Sequence, residues 1–348
     1  MRIHITDLQA GDQISQDIFN SYGLHVLSCG AIVNEHDLSR LYQHRIDYVD
    51  IEQRVPPSFE ASETAADLLP PELQYKFEDA VAGCELLFKQ ALADGKIREE
   101  DAKESFQPLV KHFQEERDVV SLMLSMHTQD QYTYQHSVQV GMLCFYMAKW
   151  LDWSEDDQIR MGMAGFLHDI GKSRLPEDII KKSGKLTDEE FEEIKKHPLH
   201  SYQILTDSYA DADIAVAALQ HHERRDGTGY PERLRDESIQ PMSRVVAIAD
   251  IYSAMSSDRV YQQKRDLLHV LKELYRLSFY ELDAEMTLTF INRMIPNFIG
   301  KRAKLSDGRW GTIIMTHPTD PFRPLVHVDG AFIDLSVERD LEIEQISV

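Results

Sequence analysis

Cysteine is scarce in this chain. Three cysteines in 348 residues, Cys29, Cys84 and Cys144, are too few and too far apart for a disulfide framework or a cysteine zinc site. They read as reduced, packed side chains. Long apolar runs are missing too: none approaches the roughly 20 residues of a transmembrane helix. The opening MRIHITDLQAGD has acids where a secretory signal has an apolar stretch. The expected compartment is therefore the cytoplasm. Positive charge is also short: 37 Lys and Arg stand against 59 Asp and Glu, a formal net charge of -22. That argues against nonspecific binding to DNA or to an anionic membrane. A small anionic substrate stays open, because bound metal ions reverse a local field.

A length of 348 residues fits about two domains and a sizeable core. Residues 1–52 read as a small α/β module, with strand-like segments near Ile3–Ile5, Leu24–Leu27 and Ile46–Ile51, and a helix through Leu38 and Leu41 capped by Asn34. Residues 53–71, with Pro56, Pro57, Pro70 and Pro71 in a polar run, read as a linker. Residues 72–126 read as two connecting helices broken at Asp94-Gly95. Phe77, Val81, Leu86 and Leu87 mark the apolar side of the first, and Leu109, Phe113, Val120 and Leu124 that of the second. They join the flanking pieces or form a homodimer seam; the pattern fits both. From 127 to 300 the pattern is helical, with a capping box at Thr187-x-x-Glu190, a cap at Ser154, and a break at Asp226-Gly-Thr-Gly-Tyr-Pro231. Residues 301–348 change to short alternating runs around Asp307-Gly308 and Asp329-Gly330, which are hairpin signals. This end reads as a small β-barrel or sheet of about four or five strands. The fold class expected is mainly α: a helical bundle with a small module on each side.

The chemistry gathers on one spaced series. His136, the adjacent pair His168-Asp169, His197, the pair His221-His222, and Asp250 are separated by 32, 28, 24 and 28 residues. Each gap is about one helix plus a connection, so each helix of a bundle would deliver a group to one interior point. His136 shares a helix face with Val140, Leu143 and Met147, where a plain core histidine would also sit. Asp250 interrupts an apolar run, Val245–Ala249 and Ile251–Met255, with no Lys or Arg within five residues. A buried carboxylate needs a cation, either a distant Arg or a metal. Mixed imidazole and carboxylate donors suit Fe, Mn, Zn or Ni. Seven groups exceed one tetrahedral site, which favours two ions with Asp169 as the bridge. Paired ions suit phosphoester hydrolysis by a metal-activated hydroxide. Lys172, one turn on, is either a phosphate contact or an ordinary helix-terminal lysine.

With these residues in view, the stretch from Asp130 to Asp266 resembles the HD-GYP family of HD-domain phosphohydrolases. The matching pieces are Gln131-Tyr-Thr-Tyr-Gln-His-Ser137, His168-Asp-Ile-Gly-Lys172, Lys195-Lys-His-Pro198, His221-His-Glu-Arg-Arg-Asp-Gly-Thr-Gly-Tyr-Pro231, Ala249-Asp250 and Ser257-Asp-Arg-Val-Tyr261. The resemblance implies an all-α HD-type bundle that hydrolyses cyclic di-GMP to pGpG or GMP with two divalent ions, usually iron or manganese. It implies His136, His168, Asp169 and Asp250 at one ion, and Asp169, His197, His221 and His222 at the other. Lys172, Gly229, Tyr230 and Arg259 would border the substrate. Tyr132 stands where some members carry a glutamate for a third metal, so two ions are expected. Arg259-Val-Tyr-Gln262 lacks a basic residue that the family run carries at its end, which keeps another cyclic dinucleotide, such as cyclic GMP-AMP, or a catalytically weak cyclic di-GMP receptor as alternatives.

Overall fold

The structure is a computed structural model. It describes parts of residues 2–51, and residues 71–113, 132–180, 182, 184–256, 267–317 and 319–347. The chain divides into two compact units, Met1–Ser62 and Glu63–Val348. In the first, β1 (Arg2–His4) pairs antiparallel with β4 (Tyr48–Asp50), and β2 (Ile18–Phe19) with β3 (His25–Leu27). Ile14, Val26, Leu41, Val49 and Ile51 are among its core residues. The β2 pairing was not evident from the pattern, because a two-residue strand is too short to show alternation. The proposed cap Asn34 and linker residues 53–70 lie outside the described residues.

The second unit is mostly helical. Its helices are α1 (Pro71–Asp94), α2 (Glu99–Phe113), α3 (Tyr132–Trp150), α4 (Glu155–Leu167), α5 (Glu177–Ile180), α6 (Asp188–Ile194), α7 (His197–Thr206), α8 (Ala212–Gln220), α9 (Pro241–Ser256), α10 (Leu267–Leu277) and α11 (Ala284–Met294). Ser154 accepts from the Asp157 N–H at the start of α4, and Thr187 and Glu190 form the expected capping box on α6. Gly95 ends α1 with a φ of +70°, which suits a residue without Cβ. Among the described residues, no helix is long and apolar enough to cross a membrane.

One apolar core joins α1 and α2 to the rest of the bundle and to the C-terminal strands. Phe106 of α2 stacks on Phe166 of α4, with centroids 4.7 Å apart. Phe77, Val81 and Leu87 are buried as expected, but Leu86 is 60% exposed. Neighbours 86 and 87 are 100° apart around a helix, so α1 turns only one of them inward. At the centre, α3 is buried on nearly all sides from Gln135 to Ala148. Its inward stripe is therefore most of the helix, and burial alone did not mark the side of His136 that faces the site.

The C-terminal strands are β5 (Arg302–Leu305), β6 (Trp310–His317), β7 (Asp320–Val328), β8 (Ala331–Asp334) and β9 (Ile343–Ser347). They form one antiparallel sheet in the order β8-β7-β6-β5-β9. The edges β8 and β9 are not paired with each other, so the sheet is open; the barrel-like closure expected from the hairpin signals is not formed. Asp329 and Gly330 both take positive φ, 48° and 83°, as a two-residue type I′ turn requires.

Glycines set how closely the central helices approach. A Cβ on Gly165 of α4 would lie 2.7 Å from Cys144 Sγ and 2.8 Å from the Val140 carbonyl oxygen of α3. Gly165→Ala is therefore expected to lower stability by about 1–3 kcal/mol through overpacking. Denaturant unfolding at equilibrium measures this, and an unchanged midpoint would show that α3 and α4 separate freely.

Candidate metal centre

The seven spaced residues meet inside the bundle. His136 comes from the first turns of α3. His168 is the C-cap of α4, and Asp169 opens the 3-10 turn Ile170–Arg174. His197 is the first residue of α7, His221 the C-cap of α8, and Asp250 lies in α9. Except for His222, which is partly exposed, all are buried. Candidate donor atoms lie within 4.8 Å of one another in each of three groups: His197, His221 and His222; His136, His168 and Asp250; and His168, Asp169 and His221.

Asp169 divides its two oxygens between two sets of rings. Oδ2 lies 3.3 Å from His168 Nε2 and 3.9 Å from His136 Nε2. Oδ1 lies 3.2 Å from His197 Nε2 and 3.9 Å from His221 Nε2. Asp250 is divided similarly, with Oδ1 3.0 Å from His136 Nε2 and Oδ2 3.8 Å from His222 Nδ1. Among the described residues Asp250 pairs with no Lys or Arg, and its close polar neighbours are imidazoles.

The rings are oriented from behind. His168 Nδ1 donates to the Gly165 carbonyl at 2.7 Å, His197 Nδ1 to Ile194 at 2.7 Å, and His221 Nδ1 to Ala218 at 2.8 Å. A carbonyl only accepts, so each Nδ1 carries the proton, and a neutral ring then turns an Nε2 lone pair inward. His197 Nε2 and His221 Nε2 face each other at 3.3 Å. Asp169 Oδ1 is buried and accepts no hydrogen bond, since an Nε2 lone pair has no proton to give it. Lone pairs and an unsatisfied carboxylate oxygen converging on one interior space are what a cation-binding donor set requires, so the residues present fit divalent metal ions.

The electrostatics agree. Burial raises the pKa of Asp169, but the charges on His168 and Lys172 outweigh it and hold the carboxyl well below its usual range. Burial likewise works against the Asp250 carboxylate, and the His136 interaction keeps it well below the usual range. Burial presses His136, His221 and His222 below their ordinary 6.5, the last two strongly and helped by neighbouring rings. Burial lowers His168 too, yet the adjacent Asp169 wins and raises it.

The other expected residues fall in three places. The Lys172 ammonium sits 2.5 Å from Asp169 Oδ2, so it meets the candidate bridge itself, with 27% of its side chain exposed. Tyr230 stacks on His222, with centroids 4.7 Å apart, and burial holds its phenol well above its usual pKa. Gly229 packs against backbone: a Cβ there would lie 2.4 Å from Arg224 N and 2.5 Å from the His222 oxygen. Arg259 and the side chain of Tyr132 lie outside the described residues.

Two groups escaped the sequence reading. The buried Glu223 carboxylate accepts the N–H groups of Glu232 at 2.6 Å and Leu234 at 2.9 Å, which ties down the segment after Tyr230. Its place beside His221-His222 was the available signal. Ser253 reaches His136 from α9, and nothing local to either residue announces that contact.

Residues 118–285 match the family described as HD domain. This segment belongs to the HD-domain family. The chain is 34% identical over 207 residues to a cyclic di-GMP phosphodiesterase of Pseudomonas aeruginosa, an alignment covering 59% of this chain and 50% of that protein. It is 36% identical over 157 residues to 3′3′-cGAMP-specific phosphodiesterase 1 of Vibrio cholerae, covering 45% and 36%. A cyclic di-GMP phosphodiesterase of Thermotoga maritima is 37% identical over 173 residues, covering 49% and 46%. The chain thus spans half the length or less of these curated relatives. Among solved structures, an HDG"Y"P protein from Bdellovibrio bacteriovorus shares the fold, with a TM-score of 0.51 at 18% identity, covering 83% of this chain and 97% of that one.

A pH effect on stability follows from the buried rings. For His136, His221 and His222 the folded pKa lies below the unfolded 6.5, so the unfolded chain takes up protons first and their contribution is lost as pH falls below about 6.5. His168, with a raised pKa, acts in the opposite sense and offsets one ring. In chelator, unfolding free energy is expected to fall from about pH 7 to about pH 5, by up to about 1.4 kcal/mol per pH unit for each net proton taken up. Thermal or denaturant unfolding across that range checks it; a flat profile would contradict the burial of neutral rings.

Proposed function

We propose that the HD domain hydrolyses cyclic di-GMP to pGpG, GMP or both, using two divalent ions, iron or manganese. His136, His168, Asp169 and Asp250 would hold one ion, and Asp169, His197, His221 and His222 the other. The observation that carries this reading is the Asp169 carboxylate, whose two oxygens face separate pairs of imidazoles. The names of the curated relatives support the reaction class. Ions bound there would supply Lewis acidity and a water of lowered pKa.

The chain's own groups have separate tasks. Lys172, partly exposed beside Asp169, brings a positive charge to a non-bridging phosphate oxygen. Tyr230 keeps its proton at neutral pH, because burial disfavours the phenolate, and so serves as a hydrogen-bond donor. Its stacking on His222 fixes where that donor points. Gly229 lets the loop close on the His222–Arg224 backbone. Arg259 would take the second phosphate or a guanine. A cytoplasmic setting goes with this reading. Relatives named for cyclic di-GMP and for 3′3′-cGAMP match at 34%, 37% and 36% identity, so a 3′3′-cGAMP phosphodiesterase is the second reading.

The test is anaerobic purification, metal quantification, and turnover of both dinucleotides by wild type and Asp169→Ala. Wild type is expected to hold two ions and prefer cyclic di-GMP. The variant is expected to lose metal, and to lose turnover by at least the roughly 10²–10³-fold that follows removal of one electrostatic stabiliser. Binding without turnover by metal-loaded wild type would make the domain a receptor. Unchanged metal content in the variant would remove Asp169 from the bridge.

A further inference from the structure

Three of the inward-facing rings are held by carbonyls of their own chain segment, three residues earlier. His136 is held differently. Its Nδ1 lies 3.0 Å from Ser253 Oγ, across 117 residues of sequence. Ser253 Oγ in turn donates to Gln139 Oε1 at 3.0 Å. With its proton committed to Gln139, the hydroxyl accepts from His136 Nδ1–H. That turns His136 Nε2 toward the cluster, 3.0 Å from Asp250 Oδ1. All three residues are buried, with Ser253 at 1% and Gln139 at 4% exposure.

We infer that Ser253 and Gln139 form a side-chain relay that fixes the tautomer and orientation of His136, and so set the affinity of one ion position and not of the other. The inference rests on the binuclear reading above. The relay is economical in sequence: His136 and Gln139 are one turn apart on α3, and Asp250 and Ser253 one turn apart on α9. Thus α9 supplies a candidate ligand and the group that orients its neighbour. Among the hydrogen bonds described, Nδ1 of His197 and of His221 is held by a backbone carbonyl and not by a side chain. Ser253 and Gln139 are positioning residues, since neither is among the donor groups that converge on the cluster. Outer partners of this kind commonly change metal affinity by about 10–100-fold.

The test is Mn²⁺ binding to the full chain, by calorimetry and by competition with a chelator, for wild type, Ser253→Ala, Gln139→Met and Gln139→Glu. Gln139→Met keeps the volume and removes the acceptor; Gln139→Glu keeps an acceptor. Ser253→Ala and Gln139→Met are expected to weaken one of two Mn²⁺ sites by about 10–100-fold and leave the other within about twofold. Gln139→Glu is expected to retain wild-type affinity, a rescue that a purely structural role would not produce. Unfolding in chelator, run on each variant, separates lost binding from lost folding, and Gln139→Glu decides the matter if Ser253→Ala does not fold. Two tight sites in wild type with all variants unchanged would overturn the relay alone. Equal weakening of both sites would overturn its selectivity. A wild type that binds fewer than two ions would instead overturn the binuclear reading.

Discussion

Two carboxylates buried among imidazoles set the constraint under which the second unit is built. Asp169 and Asp250 are almost wholly withdrawn from water, and a buried charge without compensation costs several kcal/mol. A single Lys172 ammonium reaches Asp169, and only imidazoles reach Asp250 among the described residues. Compensation must therefore come from protons on the rings or from bound cations. Asp169 draws the His168 pKa upward against its burial, which is the direction of a proton solution. His136, His221 and His222, all depressed by burial, show its limit: the site resists filling every ring with charge. Divalent ions meet the same need without protonating the rings.

The helix ends make that donor set possible. A helix leaves its last four carbonyls without intrahelical partners. Gly165 near the end of α4, Ile194 at the end of α6 and Ala218 near the end of α8 each give such an oxygen to a histidine three residues on. The same bond satisfies an orphan acceptor and chooses the tautomer that points Nε2 inward. His136 stands near the start of α3, where nearby carbonyls are already bonded within the helix. Its anchor has to come from another element, and α9 provides it. Gly171 belongs to the same construction: a Cβ there would lie 2.2 Å from the His197 oxygen, so its absence lets the turn after Asp169 rest on the start of α7.

Much of this was legible in the sequence, for identifiable reasons. His136, the His-Asp and His-His pairs, His197 and Asp250, spaced by about one helix each, place five segments around one point. Asp250 was legible because a charge inside an apolar run is costly. Hairpin glycines announced the C-terminal strands, but sheet closure depends on whether β8 meets β9, and no local pattern carries that. Leu86 was misplaced because adjacent apolar residues give no phase to a helix. Lys172 was expected to border the substrate, and its contact with Asp169, three residues back, is one that the spacing alone did not announce. Ser253 was not legible at all: a serine in an apolar helix usually satisfies itself on its own backbone, and its partner is 117 positions away.

The acidity of the whole chain and the anionic substrate proposed above would be reconciled at this centre. A net charge of -22 repels polyanions at long range. On the proposed binuclear reading the balance within the bundle would reverse, since two divalent cations and the Lys172 ammonium would outweigh the two carboxylates. Screening confines the acidic surface field to about 10 Å at ordinary salt, whereas the interior field acts in a medium of lower dielectric constant. A dinucleotide with two phosphates would cross the first field at modest cost and gain from the second. A duplex, with its many phosphates held outside the site, meets only the repulsive part. On the function proposed above, the same imbalance of charge that disfavours polyanions would act as a filter for a small phosphodiester, and the filter would work only while the buried cluster is loaded.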